Sequence, residues 1–214
     1  NQPFLKMHHT FVHDRDEPLF FRIREMRFSL PIALGGTPRV MLGSPHATTH
    51  VGEDFGPQAG EVRLWENDFE QYSVLGLPSG RIDRSTKSHG WVYAGDQTKG
   101  VQLKLRNPSQ NYPKVYATDG KRIEIHLYPD AGQWTPPEGK ARRYTELDLT
   151  HDGEYEGALQ IPQGMAKTDE IFLYFGGPAR DVLDAAVWAA AWQHPPRMGK
   201  DARANAASGA LGSF

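Results

Sequence analysis

The chain of 214 residues contains no cysteine. Without thiols it forms no disulfide, no thiolate zinc site and no cysteine nucleophile. Long apolar runs are also missing, because the longest, AAVWAAAW, is far shorter than the ~20 residues that a membrane span requires. Neither sign of charge is in excess, since 24 basic residues face 26 acidic ones. This balance argues against a nucleic-acid binder that works by bulk electrostatics. We therefore expect neither a membrane span nor a nucleic-acid partner.

The short motifs of common cofactor enzymes are absent as well. The sequence has no P-loop, no dinucleotide fingerprint, no nucleophile elbow and no HExxH helix. Its histidines cluster in HHTFVH (His8, His9, His13) and PHATTH (His46, His50). The first cluster offers two ligands on one strand face, whereas a metal site needs three or four. His46 and His50 would suit a metal only on a helix, and the segment around them has no helical pattern. We predict no metal site and no cofactor, and the sequence leaves open whether Ca²⁺ assists.

What the chain does have is apolar residues that alternate with polar ones, which is typical of half-buried antiparallel strands. In GVQLKLR, Val101, Leu103 and Leu105 share one face, and KRIEIHLY repeats the pattern. Gly and Pro clusters separate roughly ten to thirteen such segments, more than an immunoglobulin-type sandwich has. We predict a mainly β fold, a large antiparallel β-sandwich over residues 1–177. Further predicted strands are Leu5 to His13, Met26 to Leu34, Glu70 to Leu77, Gly90 to Asp96, Tyr144 to Thr150 and Glu170 to Gly176.

The composition changes at Pro178. PARDVLDAAVWAAAWQ is rich in alanine and places Trp188 and Trp192 four residues apart, which predicts a helix that HPP ends. From Arg197 onward the residues are small and polar, as in a connector. The chain begins with Asn1 and stops at Phe214 without a stop signal. We expect residues 178–214 to be a helix and a linker towards a further domain of a longer polypeptide.

The polar stretch RNPSQNYPK lies between two predicted strands. In an extended conformation Gln110, Tyr112 and Lys114 fall on one face, and Asn111 on the other. Because Pro113 cannot donate to a ladder, we expect an edge strand or a bend. Tyr and Lys presented in this way suit an acid–base pair, but Lys and Pro also protect an edge strand against aggregation.

The aromatic residues and the acidic residues each allow two functional interpretations. Trp and Tyr residues beside polar loops suit stacking on sugar rings, although an ordinary β core also uses them. The carboxylates around EVRLWENDFEQ include Glu61, Glu66, Asp68 and Glu70. A pair of them would suit glycoside hydrolysis, but a solvated edge is the favoured interpretation.

Three long segments resemble a known family. HHTFVHDRDEPLFFRIREMRFSLPIAL is similar to the opening of a galactose-mutarotase-like sandwich. HGWVYAGDQTKGVQLKLRNPSQNYPKVYATDGKRIEIHLYP resembles the core of the rhamnogalacturonan exolyase/YetA-like family, and WQHPPRMGKDARANAASGALGSF resembles its passage into the next domain. The family usually has an RDFWQ-like segment where this chain has RNPSQ, and this departure bears on the substrate and on activity.

The resemblance implies the central sandwich of a secreted, extracellular or periplasmic polysaccharide lyase. Such an enzyme cleaves acidic, pectin-like glycans by β-elimination, with flanking domains of the same polypeptide as partners. Elimination needs a group that neutralises the uronate carboxylate, a base for the C5 proton and an acid for the leaving oxygen. The expected catalytic residues are Lys114 as base, Tyr112 as acid and His89. The expected substrate-binding residues are Arg106, Asn111, Gln110, Arg84 and Trp91.

Two other functions remain open at this point. One is a non-catalytic carbohydrate-binding or structural module that has kept the sandwich without the cleft, which the lost aromatic segment favours slightly. The other is a mutarotase or epimerase, which would need a convergent His and Glu pair. We expect the isolated chain to be inactive.

Overall fold

A computed structural model describes residues 4–14, 20–43, 53–54, 60–68, 70–76, 83–85, 87–130, 159–178 and 182–193. Within these ranges fourteen strands and one α-helix form, which confirms the mainly β prediction. The strands are β1 (Phe4–Val12), β2 (Phe20–Ile23), β3 (Met26–Pro31), β4 (Arg39–Leu42), β5 (Glu53–Asp54), β6 (Val62–Asp68), β7 (Gln71–Leu75), β8 (Asp83–Ser85), β9 (Trp91–Gly95), β10 (Gly100–Leu105), β11 (Lys114–Thr118), β12 (Arg122–Tyr128), β13 (Leu159–Pro162) and β14 (Ala166–Gly176).

Two six-stranded antiparallel sheets form the sandwich. The first sheet has the order β1-β14-β10-β9-β4-β5, and the second has the order β3-β12-β11-β6-β7-β8. A separate two-stranded sheet pairs β13 with β2. Each large sheet contains strands from distant parts of the sequence that pair directly, β10 with β14 in the first sheet and β11 with β6 in the second.

The core lies between the inner faces of the two sheets. Leu103 and Leu105 of β10 are fully buried there, as are Ile123 and Ile125 of β12. Val101 is partly buried against the same cluster. The alternating pattern therefore assigned the inward faces of these strands correctly, because residues two apart project to the same side of a sheet.

The helix α1 (Val182–Gln193) forms a third layer on the outer face of the first sheet. Its Ala185 and Ala189 pack against Trp91 and Tyr93 of β9. Small alanine side chains allow this close approach to large rings. The polar residues of β10 that alternation places outward, such as Gln102, are consequently buried under the helix and not solvated.

An aromatic cluster secures the C-terminal half of α1 on β14 and β1. Trp192 stacks on Phe172 with ring centroids 4.8 Å apart and meets Phe4 edge-on at 4.9 Å. Trp188 lies 4.1 Å from Tyr174. The two tryptophans spaced four apart thus belong to one packed face, as the helical spacing predicted.

Of the two alternatives predicted for RNPSQNYPK, the edge strand is wrong and the bend is confirmed. Ser109–Asn111 form a short 3-10 helix, and Lys114 begins β11, which lies between β12 and β6 in the interior of the second sheet. Pro113 precedes the first paired residue, so its missing N–H removes no ladder hydrogen bond. Gln110, Tyr112 and Lys114 therefore do not share an extended face.

Some predictions lie outside the described residues. They are the strand Tyr144 to Thr150, the histidines His46 and His50, and the connector after Arg197. Of the helices that the structure describes, none combines the length and apolarity that crossing a membrane requires. No group of three or more potential metal ligands comes together among the described residues.

Truncating the core should reveal its contribution to stability. Leu103→Ala removes a fully buried side chain, and the resulting cavity is expected to lower the free energy of unfolding by about 2–5 kcal/mol. Val187→Ala is the control, because Val187 on α1 is 65% exposed and its loss should change stability by no more than about 0.5 kcal/mol. Urea denaturation measures both, and equal effects would contradict this assignment of the core.

Candidate functional site

A pocket of about 540 Å³ opens where α1, the 107–110 loop and the segment before β9 meet. Its lining residues are Lys87, Ser88, His89, Trp91, Lys104, Asn107, Pro108, Ser109, Gln110, Ala186, Ala189, Ala190 and Gln193. The polar loop that stood out in the sequence therefore forms one wall of a pocket. The alanines of α1 form the opposite, apolar wall.

A reciprocal amide pair joins these two walls. Gln193 Nε2 donates to Asn107 Oδ1 at 2.6 Å, and the Asn107 N–H donates to Gln193 Oε1 at 3.2 Å. Asn107 has φ +51°, a left-handed conformation that asparagine tolerates better than most residues. The side chain of Asn111 donates to the Asn107 carbonyl at 2.9 Å and so stabilises the turn.

The 107–110 loop packs closely against Gly90, the residue that precedes β9. This glycine has φ +60°, and a Cβ atom at its position would collide with the ring of Pro108. Glycine is therefore required here both for its backbone conformation and for the close approach of the loop.

Buried polar groups hold the base of the pocket. Ser88 Oγ donates to Glu66 Oε2 at 2.7 Å, and the Ser88 N–H donates to Glu66 Oε1 at 3.3 Å. The Gly90 N–H donates to Ser88 Oγ at 3.0 Å. From the first sheet, Lys104 Nζ donates to the His89 carbonyl at 2.8 Å. The backbone around His89 is thus held by side chains from both sheets.

The lining of the pocket is basic. It contains Lys87, Lys104 and His89, and no carboxylate is among the lining residues that the structure describes. Burial lowers the pKa of Lys104 to about 8, and the charge of Glu66 opposes that shift. Lys104 is therefore still mostly protonated at neutral pH. Burial, with the nearby charge of Lys104, also lowers the pKa of His89, so its ring is mostly neutral there.

Glu66 lies inside the sandwich and not on a solvated edge, which corrects the interpretation favoured from the sequence. It has no exposed surface. Burial raises its pKa to about 7, although the hydrogen bonds from Ser88 and the charges of Lys114 and Lys104 oppose the shift. Near neutral pH both the charged and the neutral form of this carboxyl group are consequently populated.

The pocket brings together three of the residues singled out from the sequence, His89, Trp91 and Gln110. Trp91 is almost fully buried and belongs to the wall under α1. Gln110 is exposed at the rim, and His89 is also exposed, so both are accessible to a ligand.

Other predicted substrate-binding residues serve the structure around the pocket. Arg106 Nη1 lies 3.0 Å from Glu170 Oε2 in an ion pair, so its charge is already partnered. Asn111 donates within its own turn. Arg84 lies in β8, where its backbone pairs with Ser73, and its side chain is outside the described residues.

Lys114 and Tyr112 are not among the residues that line the pocket. Lys114 has no exposed surface, and its Nζ donates to the Leu127 carbonyl at 2.7 Å and to the Pro113 carbonyl at 3.3 Å. Burial and the neighbouring charge of Lys167 hold its pKa well below the usual value. A glycan does not reach this amine in the described conformation. The catalytic roles of Lys114 and Tyr112 stay predictions.

Several lining residues were not singled out from the sequence, notably Lys87, Ser88, Lys104 and Gln193. A signal existed for the buried Glu66, because the alternation that buries Val62 and Leu64 places residue 66 on the same face. Lys104 and Gln193 carried no comparable signal, since their meeting depends on where α1 docks.

Known proteins do not add to this picture: no family model matches the chain, and no curated protein matches it. The likeness to the exolyase family therefore rests on the sequence segments given above.

The raised pKa of Glu66 predicts a pH-dependent stability. The folded state keeps a proton on Glu66 between the ordinary pKa of 4.5 and the folded value of about 7, whereas the unfolded state releases it. Stability from this group is therefore lost as the pH rises through that window. Glu66→Gln should gain about 2–3 kcal/mol relative to the unsubstituted protein between about pH 5 and about pH 7.5.

Urea denaturation at both pH values measures this difference. Glu70→Gln is the control, because it removes an exposed carboxylate on the turn between β6 and β7. A relative stability of Glu66→Gln that does not change with pH would contradict the buried, largely protonated carboxyl group.

Proposed function

We propose that this chain is the β-sandwich domain of a secreted carbohydrate-active enzyme and that its pocket binds the carboxylate of an acidic, pectin-like glycan. One observation supports this above the others. Lys87, Lys104 and His89 line an opening that has no acidic residue among its described lining. A desolvated site with fixed positive charge favours an anionic ligand over a neutral one.

The other walls of the pocket suit a sugar. Gln110, Ser109 and Gln193 offer amide and hydroxyl groups, which donate to and accept from sugar hydroxyls. Ala186 and Ala190 provide apolar surface for the C–H faces of a ring. The volume, about 540 Å³, lies within the range of small-molecule sites, about 300–1,000 Å³.

The same geometry supports part of a β-elimination. The fixed ammonium group of Lys104, with the exposed Lys87 beside it, would neutralise the uronate carboxylate and so acidify the proton at C5. His89, mostly neutral near pH 7 because burial lowers its pKa, is able to accept that proton. The electron pair of the broken C–H bond forms the C4–C5 double bond, and the O4 oxygen leaves with a proton from an acid.

A second candidate is a carbohydrate-binding module without catalysis. The observation that favours it is the separation of the expected acid–base pair, because neither Tyr112 nor Lys114 lines the pocket and Lys114 is fully buried. Such a module would keep the basic site and bind acidic glycans without cleaving them.

Binding is tested by titrating the protein with oligogalacturonate and with a neutral galactose oligomer. We expect the acidic ligand alone to bind, and Lys104→Met to weaken it about tenfold or more, since a hydrogen bond or contact to a charged group contributes about 1.5–3 kcal/mol. Lys99→Met is the matched control, because it removes the same charge from the exposed turn between β9 and β10. Equal affinity for both ligands, or an equal effect of both substitutions, would refute the proposed site.

Catalysis is tested separately by following the ultraviolet absorbance of the unsaturated uronate product on rhamnogalacturonan and polygalacturonate. A lyase forms the product, and His89→Gln should lower the rate about 10²-fold or more because a general base is lost. The test uses the full-length polypeptide that contains this domain, because the isolated chain is expected to be inactive. Binding without product in that unsubstituted polypeptide would identify the non-catalytic module instead. A fully active His89→Gln variant would exclude His89 as the base.

A further inference from the structure

Two buried ionisable side chains hold the segment Ser88–Gly90 at the base of the pocket by hydrogen bonds. They come from opposite sheets, Glu66 from β6 and Lys104 from β10. Both are at least nine-tenths buried. The interior therefore accommodates two groups whose charged forms are costly to desolvate, and they hold adjacent residues, Glu66 at Ser88 and Lys104 at the His89 carbonyl.

The contacts leave the backbone around His89 little freedom. Ser88 is held through its hydroxyl and its N–H by the two oxygens of Glu66, and its hydroxyl oxygen also accepts from the Gly90 N–H. His89 itself donates its N–H to the Gly43 carbonyl at 2.7 Å. Its carbonyl accepts from Lys104. His89 thus lies between anchored neighbours and lines the pocket.

We propose that Glu66 is a positioning residue of the pocket, which orients the ring of His89 towards the ligand through Ser88. Glu66 is not among the residues that line the pocket. It acts by fixing the hydroxyl of Ser88, which in turn fixes the turn into β9. This inference rests on the proposed function in one respect, namely that an anion bound in the pocket contacts His89.

The alternative for Glu66 is a purely structural hydrogen bond, and the second sheet contains a matched example. Ser29 Oγ of β3 donates to Glu124 Oε1 of β12 at 2.6 Å. This pair also joins a serine to a glutamate, but neither residue lines the pocket. Substitutions in the two pairs are therefore compared. An effect on His89 that occurs only in the Ser88–Glu66 pair indicates a positioning role, because the loss of a Ser–Glu hydrogen bond is common to both.

The first measurement needs no ligand. The ring of His89 is titrated by NMR in the unsubstituted protein, in Ser88→Ala and in Ser29→Ala. The ionisable groups around the ring are Lys104 from β10 and Lys87 from its own segment, and burial is the main cause that lowers the pKa of His89. If Ser88→Ala releases the segment, the ring gains solvent and its pKa rises towards the ordinary 6.5. Ser29→Ala should leave that pKa unchanged.

The second measurement is the affinity for oligogalacturonate. Ser88→Ala is expected to weaken binding about tenfold, the loss that corresponds to one charge-assisted hydrogen bond, whereas Ser29→Ala has no effect. Glu66→Gln should act in the same direction, since an amide offers a single oxygen to the two donors of Ser88. If Ser88→Ala does not fold, Glu66→Gln decides by the same two readouts.

The outcomes separate this inference from the proposed function. An unchanged pKa of His89 together with unchanged affinity in Ser88→Ala, or equal changes in Ser29→Ala, would overturn the positioning role. If the unsubstituted protein binds no uronate, the proposed function fails, and the titration of His89 still decides whether Glu66 and Ser88 orient the ring.

Discussion

The packing of α1 on the first sheet is the contact on which the pocket depends. Ala185 and Ala189 approach Trp91 and Tyr93 closely, and Gln102 Nε2 donates to the Ala185 carbonyl at 2.8 Å. Burying an aromatic ring of this size contributes about 4 kcal/mol or more, which offsets the cost of covering polar residues of β10. The helix thereby turns a solvated strand face into one wall of a pocket.

The sandwich accommodates ionisable groups in its interior largely by shifting their protonation. An isolated buried charge is prohibitively costly, so buried groups are paired or become neutral. Lys114 follows this rule, because its amine is anchored by two backbone carbonyls while burial holds its pKa well below the usual value. Glu66 and Lys104, with pKa values of about 7 and about 8, lie closer to the point where both forms coexist.

Alternation predicted a large part of the fold because it reports which side chains share a face. It identified the inward residues of β10 and β12, and four-residue spacing identified the packed tryptophans of α1. Alternation does not report what covers the other face. For that reason alternation gave no sign that Lys104 is buried, and Lys114 looked like part of an edge although β12 and β6 flank it. The pocket depends on docking across distant segments, so the sequence pointed to its loop, His89 and Trp91 but not to Lys87, Lys104 or Gln193.

The residues of the pocket account better for the binding of an anion than for proton transfer to and from a sugar. Elimination from a uronate requires a base and an acid that can both reach the sugar. His89 is exposed and mostly neutral, whereas the ammonium group of Lys104 is buried and donates to a backbone carbonyl, so it acts as a fixed charge. The described lining contains no phenol or carboxylic acid to protonate a leaving oxygen. Recognition of a carboxylate needs only fixed positive charge, whereas cleavage also needs an acid at the leaving oxygen, for which the described lining offers the ammonium group of Lys87 but no phenol or carboxyl group.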